Sequence, residues 1–355
     1  MTNRIIRIAA LVAWGALVLP GCSVRLDSPL QDEAAIGFNA GSMLLREDDA
    51  TVKGGVIKDG TEFSDQDNFF VYGSKTLPSK RSTVFRGDRV SVDGANNWDY
   101  TPHRFWDFNS SRYDFLAIAG PGDDSTISCD PSQDGALTAQ VSYDPTVAQY
   151  DLMAACKRRL TATHSTDPVN LVFHHMLSAV SVVIINDSPS QLSITLNSYK
   201  FQNLCTQGIG TVTQDDDTPV FSNVWSYPAY NTNQVLGAAP GKVLSGKGGT
   251  YPGEGEVPVI DLMIPQEFGL SLTYIPRLIL NYSYQEEGKA EPTNVVTGVK
   301  LEEIKSIADD SYITKWLPGV RYQYQVHIRM GGGLRVSVST TPWEEIHAET
   351  PGLTI

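Results

Sequence analysis

The sequence predicts an all-β protein built from antiparallel β-sandwiches. Most apolar segments are short and alternate with polar residues, the period of a half-buried strand. They are rich in Val, Ile, Tyr and Phe and end at Gly, Pro, Asn or Asp, the residues that turn a chain. Helical periodicity is scarce, and only Tyr150–Leu160 and Leu301–Ile307 read as short helical turns.

The elements follow in order. Arg4 and Arg7 precede an apolar stretch from Ile8 to Leu19, a charged n-region before an h-region. That stretch is too short for a permanent membrane helix, which needs about twenty apolar residues. It ends in Leu19-Pro20-Gly21-Cys22, which resembles the bacterial lipobox, where a peptidase cuts before the cysteine and acyl chains are added. Residues 1–21 are therefore expected to be a lipoprotein signal peptide, with Cys22 lipidated and residues 22–34 a tether. The alternative is an ordinary cleavage site with an incidental cysteine. Several acyl chains anchor stably where a single one does not. Ser23 rather than Asp after the cysteine favours the outer membrane by the sorting rules of such proteins.

Strands are expected at Phe69–Ser74, Tyr113–Gly120, Leu192–Phe201, Pro276–Tyr284, Tyr322–Ile328 and Leu334–Ser339. The polar stretch His164–Pro168 separates a domain at 35–166 from one at 167–355. Gly237–Gly255 holds seven glycines in nineteen residues and reads as a long exposed hairpin loop or insertion.

The formal charge is −13, and loss of Arg4 and Arg7 with residues 1–21 makes it −15. Such a surface does not suit nucleic acid, whose phosphates need a basic partner. Beyond Cys22 the cysteines are Cys129, Cys156 and Cys205, which allow at most one internal disulfide. Cys129–Cys156 is the expected pair if one forms.

No complete phosphate loop, zinc-protease, nucleophile-elbow, CxxC or EF-hand spacing is present. Gly241–Gly248 approaches a phosphate loop but has Gly248 where a hydroxyl residue is needed. His174 and His175 are adjacent in a strand, so they point to opposite faces, one packed and one exposed. Asp215-Asp216-Asp217 reads as a solvated acidic turn, and Asp59, Glu62, Asp65 and Asp67 lack a calcium-loop signature. No catalytic residue, metal or cofactor is expected. Arg86-Gly87-Asp88 lies where two strands are expected to meet and forms a candidate adhesion loop, although glycine plus aspartate is also ordinary turn chemistry. Trp98, Tyr100, Phe105 and Trp106 are either sandwich core or, if exposed, sugar-stacking rings. Core packing is preferred, because positions 98 and 100 alternate as in a strand.

Taken together, these segments resemble the fimbrillin family of Bacteroidales surface lipoproteins, the subunits of type V pili. The resemblance runs from about Ile36 to Trp343 through an ordered set of motifs: IGFNAG, FFVYGS, NWDYTPHRFW, YDFLAIAGP, YDLMAA, VNLVFHHMLSAVSVVI, LMIPQ, WLPGVRYQYQVHI and VSVSTTPW. It implies two tandem transthyretin-like antiparallel β-sandwich domains. It also implies export as a lipoprotein, proteolysis after a basic residue, loss of an N-terminal strand, and insertion of a strand from another subunit. Here the candidate cleavage residue is Arg46, in MLLREDDA, with Lys53 and Lys58 as weaker substitutes; a surface arginine with no processing role is the alternative. The family often carries a Thr-Arg-Ala-like sequence, and this chain has Leu-Arg-Glu. The segment GLRVSVSTT, after Gly331-Gly332-Gly333, is either a donor strand or the second arm of a final hairpin.

The expected function is that of a structural and adhesive subunit of a bacterial surface fimbria, not an enzyme. Expected partners are other fimbrial subunits, the outer membrane through lipid on Cys22, and a host protein or glycan. The competing expectation is a non-polymerising surface lipoprotein that binds glycans on Trp98, Trp106 or Trp225.

Overall fold

The computed structural model describes residues 34–40, 51–52, 55–56, 68–78, 80–93, 97–110, 112–162, 167–222, 225–226, 236–238, 240–269, 273–286, 288–329 and 333–343. Cys22, Arg46, Lys53 and Lys58 lie outside the described residues. The main strands are β1 (Phe38–Asn39), β2 (Asn68–Leu77), β3 (Lys80–Val92), β4 (Arg112–Ala119), β5 (Thr138–Tyr143), β6 (Met153–Leu160), β7 (Val169–Asn170) and β8 (Ser178–Asn186). They continue with β9 (Ile194–Gln202), β10 (Gly208–Asp215), β11 (Ile260–Met263), β12 (Arg277–Tyr284), β13 (Thr293–Lys300), β14 (Val320–Arg329) and β15 (Gly333–Pro342). The fold is nearly all β, as its alternating segments require.

One antiparallel sheet runs His174–His175, β6, β4, β2, β3, Trp98–Asp99. A second carries β15, β14, β8 and β11 in that order, with β8 and β14 parallel. A third joins β9, β12 and β13, and a fourth joins β10 to β5. Parallel pairs such as β8–β14 place the fold outside a purely antiparallel pattern.

The sheets enclose three apolar cores. Phe69, Phe85, Phe115 and Phe173 fill the first, on one face of the β4 sheet. Leu116, Ile118, Ala154 and Cys156 face the second core from the same sheet, opposite Val141 and Val212 of the fourth sheet and Ala179 and Leu262 of the second. Val180, Val182 and Ile184 turn from β8 into the third core, against Leu278, Leu280 and Tyr324. Thus β4, Met153–Cys156 of β6 and Ser178–Val182 of β8 are buried on both faces. Residues 169–175, beyond the polar stretch at 164–168, pair with the first part of the chain through β1 and β6. From Ala34 onward the chain groups into one compact unit.

Three local expectations are corrected. Tyr150–Leu160 is no helical turn, because Met153–Leu160 forms β6. Met153–Cys156 alternate between two cores, and burial on both faces there outweighs the helical propensity of the alanines. Leu301–Glu303 does make one 3-10 turn, but Lys305–Ser306 then returns to strand. The glycine-rich stretch carries short strands at Lys242–Leu244 and Gly249–Tyr251, paired with β9 and β8. The cysteines Cys129, Cys156 and Cys205 are free thiols.

Candidate functional site

The sequence AAIGFNA, residues 34–40, alternates large or small apolar groups with Gly and Asn. Ile36, Phe38 and Ala40 are buried in the first core, whereas Ala35 is exposed and Gly37 and Asn39 are half-buried. The segment is hydrogen-bonded on both edges. Along one edge the Ile36 N–H donates to the Arg104 carbonyl at 2.8 Å, and the Trp106 N–H donates to the Ala34 carbonyl at 3.0 Å. Along the other, β1 lies parallel to β7, with the Val169 N–H on the Gly37 carbonyl at 2.8 Å and the Leu171 N–H on the Asn39 carbonyl at 2.9 Å. The buried Tyr100 hydroxyl donates to the Ile36 carbonyl at 2.7 Å.

Phe38 is the anchor. Its ring makes edge-on contacts with Phe69, Phe85 and Phe115 at centroid separations of 6.3, 5.4 and 5.6 Å, and a tilted one with Tyr100 at 5.9 Å. Burying one such side chain contributes about 1.5–3 kcal/mol. Taking the segment away would leave the amides of Trp106, Val169 and Leu171 and the Tyr100 hydroxyl without these partners, in a slot lined by aromatic rings. Each such group left buried and unsatisfied costs about 1–3 kcal/mol.

Arg86, Gly87 and Asp88 lie within the single strand β3, not where two strands meet. Gly87 sits at a bulge, where Val71 pairs with Asp88 but Tyr72 pairs with Arg86, and its φ of +84° suits glycine. The Asp88 carboxylate accepts from Arg104 Nη2 at 3.0 Å and from the Arg86 backbone N–H at 2.9 Å. The tripeptide therefore brings together a bulge and an ion pair beside the 34–40 segment, through the residue whose carbonyl bonds Ile36.

The three tryptophans proposed as stacking platforms do not offer open faces. Trp106 and Trp225 are buried, and half-buried Trp98 packs against Phe69 at 4.9 Å. Trp225 lies over Gly210, where a Cβ would fall 2.5 Å from the indole ring. His174 is half-buried, and buried His175 bonds Asp151 through Nδ1 at 2.9 Å while stacking on Trp343 at 3.7 Å. The acidic triplet meets a basic one that sequence reasoning did not connect with it. Lys157 pairs with Asp217, Arg159 pairs with Asp216 at 3.2 Å, and the Arg158 N–H donates to Asp217 at 3.1 Å. Opposite-sign triplets KRR and DDD were the available signal.

Among the described residues no group of three or more His, Cys, Asp or Glu side chains is placed to hold a metal ion. No helix among them is long and apolar enough to cross a membrane.

The fold and this groove define a class: an all-β protein of stacked sheets, with its first described strand gripped on both edges. The chain belongs to the fimbrillin-like family, whose model matches residues 56–343, a span that begins after the gripped strand. Members of this family are surface or fimbrial proteins that assemble with other subunits, a non-enzymatic kind of protein. Among solved structures the chain is similar to a protein assigned to cell adhesion from Parabacteroides distasonis, with 10% identity and a TM-score of 0.47 over 88% of this chain and 98% of that one. A counterpart from Bacteroides uniformis has 16% identity and a TM-score of 0.43 over 88% and 99%. One from Bacteroides eggerthii has 10% and 0.46 over 88% and 98%. No curated protein matches the chain.

Proposed function

We propose that this chain is a structural and adhesive subunit of a bacterial surface fimbria of the type V pilus kind. In this reading it is exported as a lipoprotein through Cys22, held at the outer membrane, and cut after Arg46. The freed strand leaves, and a strand from another subunit takes its place. In this reading the two domains are residues 35–166 and 167–355, with residues 169–175 pairing with the first sheet and β10 with β5 across that boundary.

The observation that supports strand exchange is the seating of residues 34–40. The segment has bonds on both edges, buries Ile36, Phe38 and Ala40, and ends six residues before Arg46 in the sequence. An incoming strand with the same alternation would replace each backbone bond and fill the same aromatic slot, which is how β-strand addition gains affinity. The covalent link beyond Ala40 is then the feature that distinguishes a closed subunit from an open one.

N-terminal analysis of protein recovered from the cell surface tests this reading. A start at Glu47 is expected for assembled subunits, with an acylated Cys22 on the precursor and on an Arg46→Ala variant. Surface protein that keeps Cys22 while fibres still form would refute the cleavage step.

A further inference from the structure

The last strand of the third sheet, β13, is bound along one edge only. All eight of its residues pair with β12 in an unbroken register, from Tyr284 opposite Thr293 to Arg277 opposite Lys300. In an antiparallel strand alternate residues turn their N–H and C=O groups to opposite sides. Among the described residues none bonds the outer row of β13. Such a row is a template for another strand, and proteins commonly block it with charge, proline, bulges or shortness.

The other long strands left largely open at a sheet edge carry those blocks. In β3 they are the charges of Lys80, Arg81, Arg86, Asp88 and Arg89, with two shifts of register against β2. In β6 they are Lys157, Arg158 and Arg159, at a further shift. The β15 strand carries Arg335 and Pro342, and Lys305–Ser306 pairs with its middle. From Thr293 to Val299, β13 has no charge, no proline and no bulge. Its Val295 and Val299 pack against the third core, whereas Asn294, Val296 and Gly298 are exposed, Val296 by 70%. The Ile279 side chain lies over Gly298, where a Cβ would fall 2.5 Å from its Cδ1, and extends the apolar surface to this edge.

The occupant that fits is a second copy of the chain. Antiparallel pairing about Val296 sets Val296 against Val296, Val295 against Thr297 and Asn294 against Gly298. Exposed positions then meet exposed ones, and half-buried positions meet half-buried ones. The segment runs from exposed Glu291, just before the strand, to Lys300 at its end. In this register residue 300 lies opposite residue 292, so Lys300 of each copy comes beside Glu291 of the other. That complementarity arises twice, as a self-complementary interface requires. The formal charge of −13 makes two copies repel elsewhere, and an uncharged strand with matched ends is where they can meet.

We propose that β13 is a lateral docking edge for a second copy of this chain, with residues 293–299 of the two copies paired antiparallel about Val296. The third sheet then runs continuously across a twofold axis. This goes beyond the strand exchange proposed above, which follows cleavage and uses the N-terminal slot. Lateral pairing needs neither, so either can fail alone. A contact of one strand is small, which places it among weak associations that depend on concentration.

The test is sedimentation velocity of the uncut chain, made with Arg46→Ala so that residues 34–40 stay attached, from low to high micromolar concentration. A monomer–dimer equilibrium is expected. Val296→Lys sets two like charges against each other at the axis and should weaken the dimer about tenfold or more, as should Val296→Glu. An equimolar mixture of these two variants should recover association, because opposite charges then face each other. Val243→Lys, at an exposed valine on the other edge of the same sheet, should leave the dimer unchanged. Without any change at Val296, amides within 293–299 should gain protection from hydrogen exchange as concentration rises; this carries the test if the variants fail to fold. A chain that stays monomeric throughout overturns the proposal. So does a dimer that folded Val296→Lys leaves intact or that Val243→Lys weakens equally. A mixture of folded variants that fails to associate, or protection at 293–299 that ignores concentration, overturns it as well.

Discussion

At the scale of single residues, Phe38 and the three thiols make the sharpest demands. Phe38 fills a slot between four aromatic rings, so Phe38→Ala removes both its transfer energy and its packing partners. Urea unfolding of this variant should show a loss of about 3–5 kcal/mol, and a value under 1 kcal/mol would mean that the slot closes without it. Burial pushes the thiols of Cys129, Cys156 and Cys205 up to about 12 each. In the unfolded chain a cysteine titrates near 8.5. Between those values the folded state holds protons that the unfolded state has released, so stability is intact below about pH 8.5 and falls as pH rises toward 12. Chemical denaturation at a series of pH values should show a midpoint that declines above about pH 8.5, and replacing the three cysteines with alanine should flatten that decline. In native protein near neutral pH the same thiols should resist alkylation and react fully only on unfolding.

At the scale of elements, three buried glutamines join pieces that are distant in sequence. Gln214 donates through Nε2 to the Phe115 carbonyl at 2.5 Å and accepts the Leu137 N–H at 3.0 Å, which ties β10 to β4. Gln149 accepts the Leu262 N–H at 3.0 Å, and Gln266 bonds both the N–H and the carbonyl of Cys205. Gln214→Ala should cost about 2 kcal/mol in thermal or urea unfolding, because the Leu137 amide stays buried without its acceptor. No sequence pattern announces such a residue, since a core glutamine looks like a surface one until its partners are placed. Strands covered on one face were legible: β14 alternates as YQYQVHI, and its Tyr322, Tyr324, Val326 and Ile328 are the buried ones. The β6 strand was not legible, because its first half, Met153–Cys156, is packed between two cores without a polar face to set its period, and the Lys157–Arg159 run that follows does not alternate. The groove was half legible. The alternation of Ile36, Phe38 and Ala40 signals a strand, but the parallel partnership with Val169–Asn170 depends on a contact across 131 residues.

At the scale of the whole molecule, the question is what severing the chain after Arg46 would do. The cut itself leaves the hydrogen bonds along the 34–40 segment in place, since Ile36, Gly37 and Asn39 bond to Arg104, Val169 and Leu171 of the body. It changes the order of the equilibrium instead. Before cutting, the strand returns to its slot as a tethered loop, whose closure costs little more as the loop lengthens. After cutting, return depends on the concentration of free strand, and the occupied state gains RT ln(1 + [L]/Kd), about 2.7 kcal/mol at a hundredfold excess over Kd. The uncut chain should therefore melt at a temperature independent of added peptide. The chain cut after Arg46 and stripped of its N-terminal piece should melt lower, and a synthetic peptide spanning residues 34–40 should raise that temperature with increasing dose. A peptide with Phe38 replaced by Ala should raise it less, because the aromatic slot stays unfilled. If the stripped chain melts where the intact one does, and no peptide shifts it, then the body closes over the slot by itself and has no place for a donated strand.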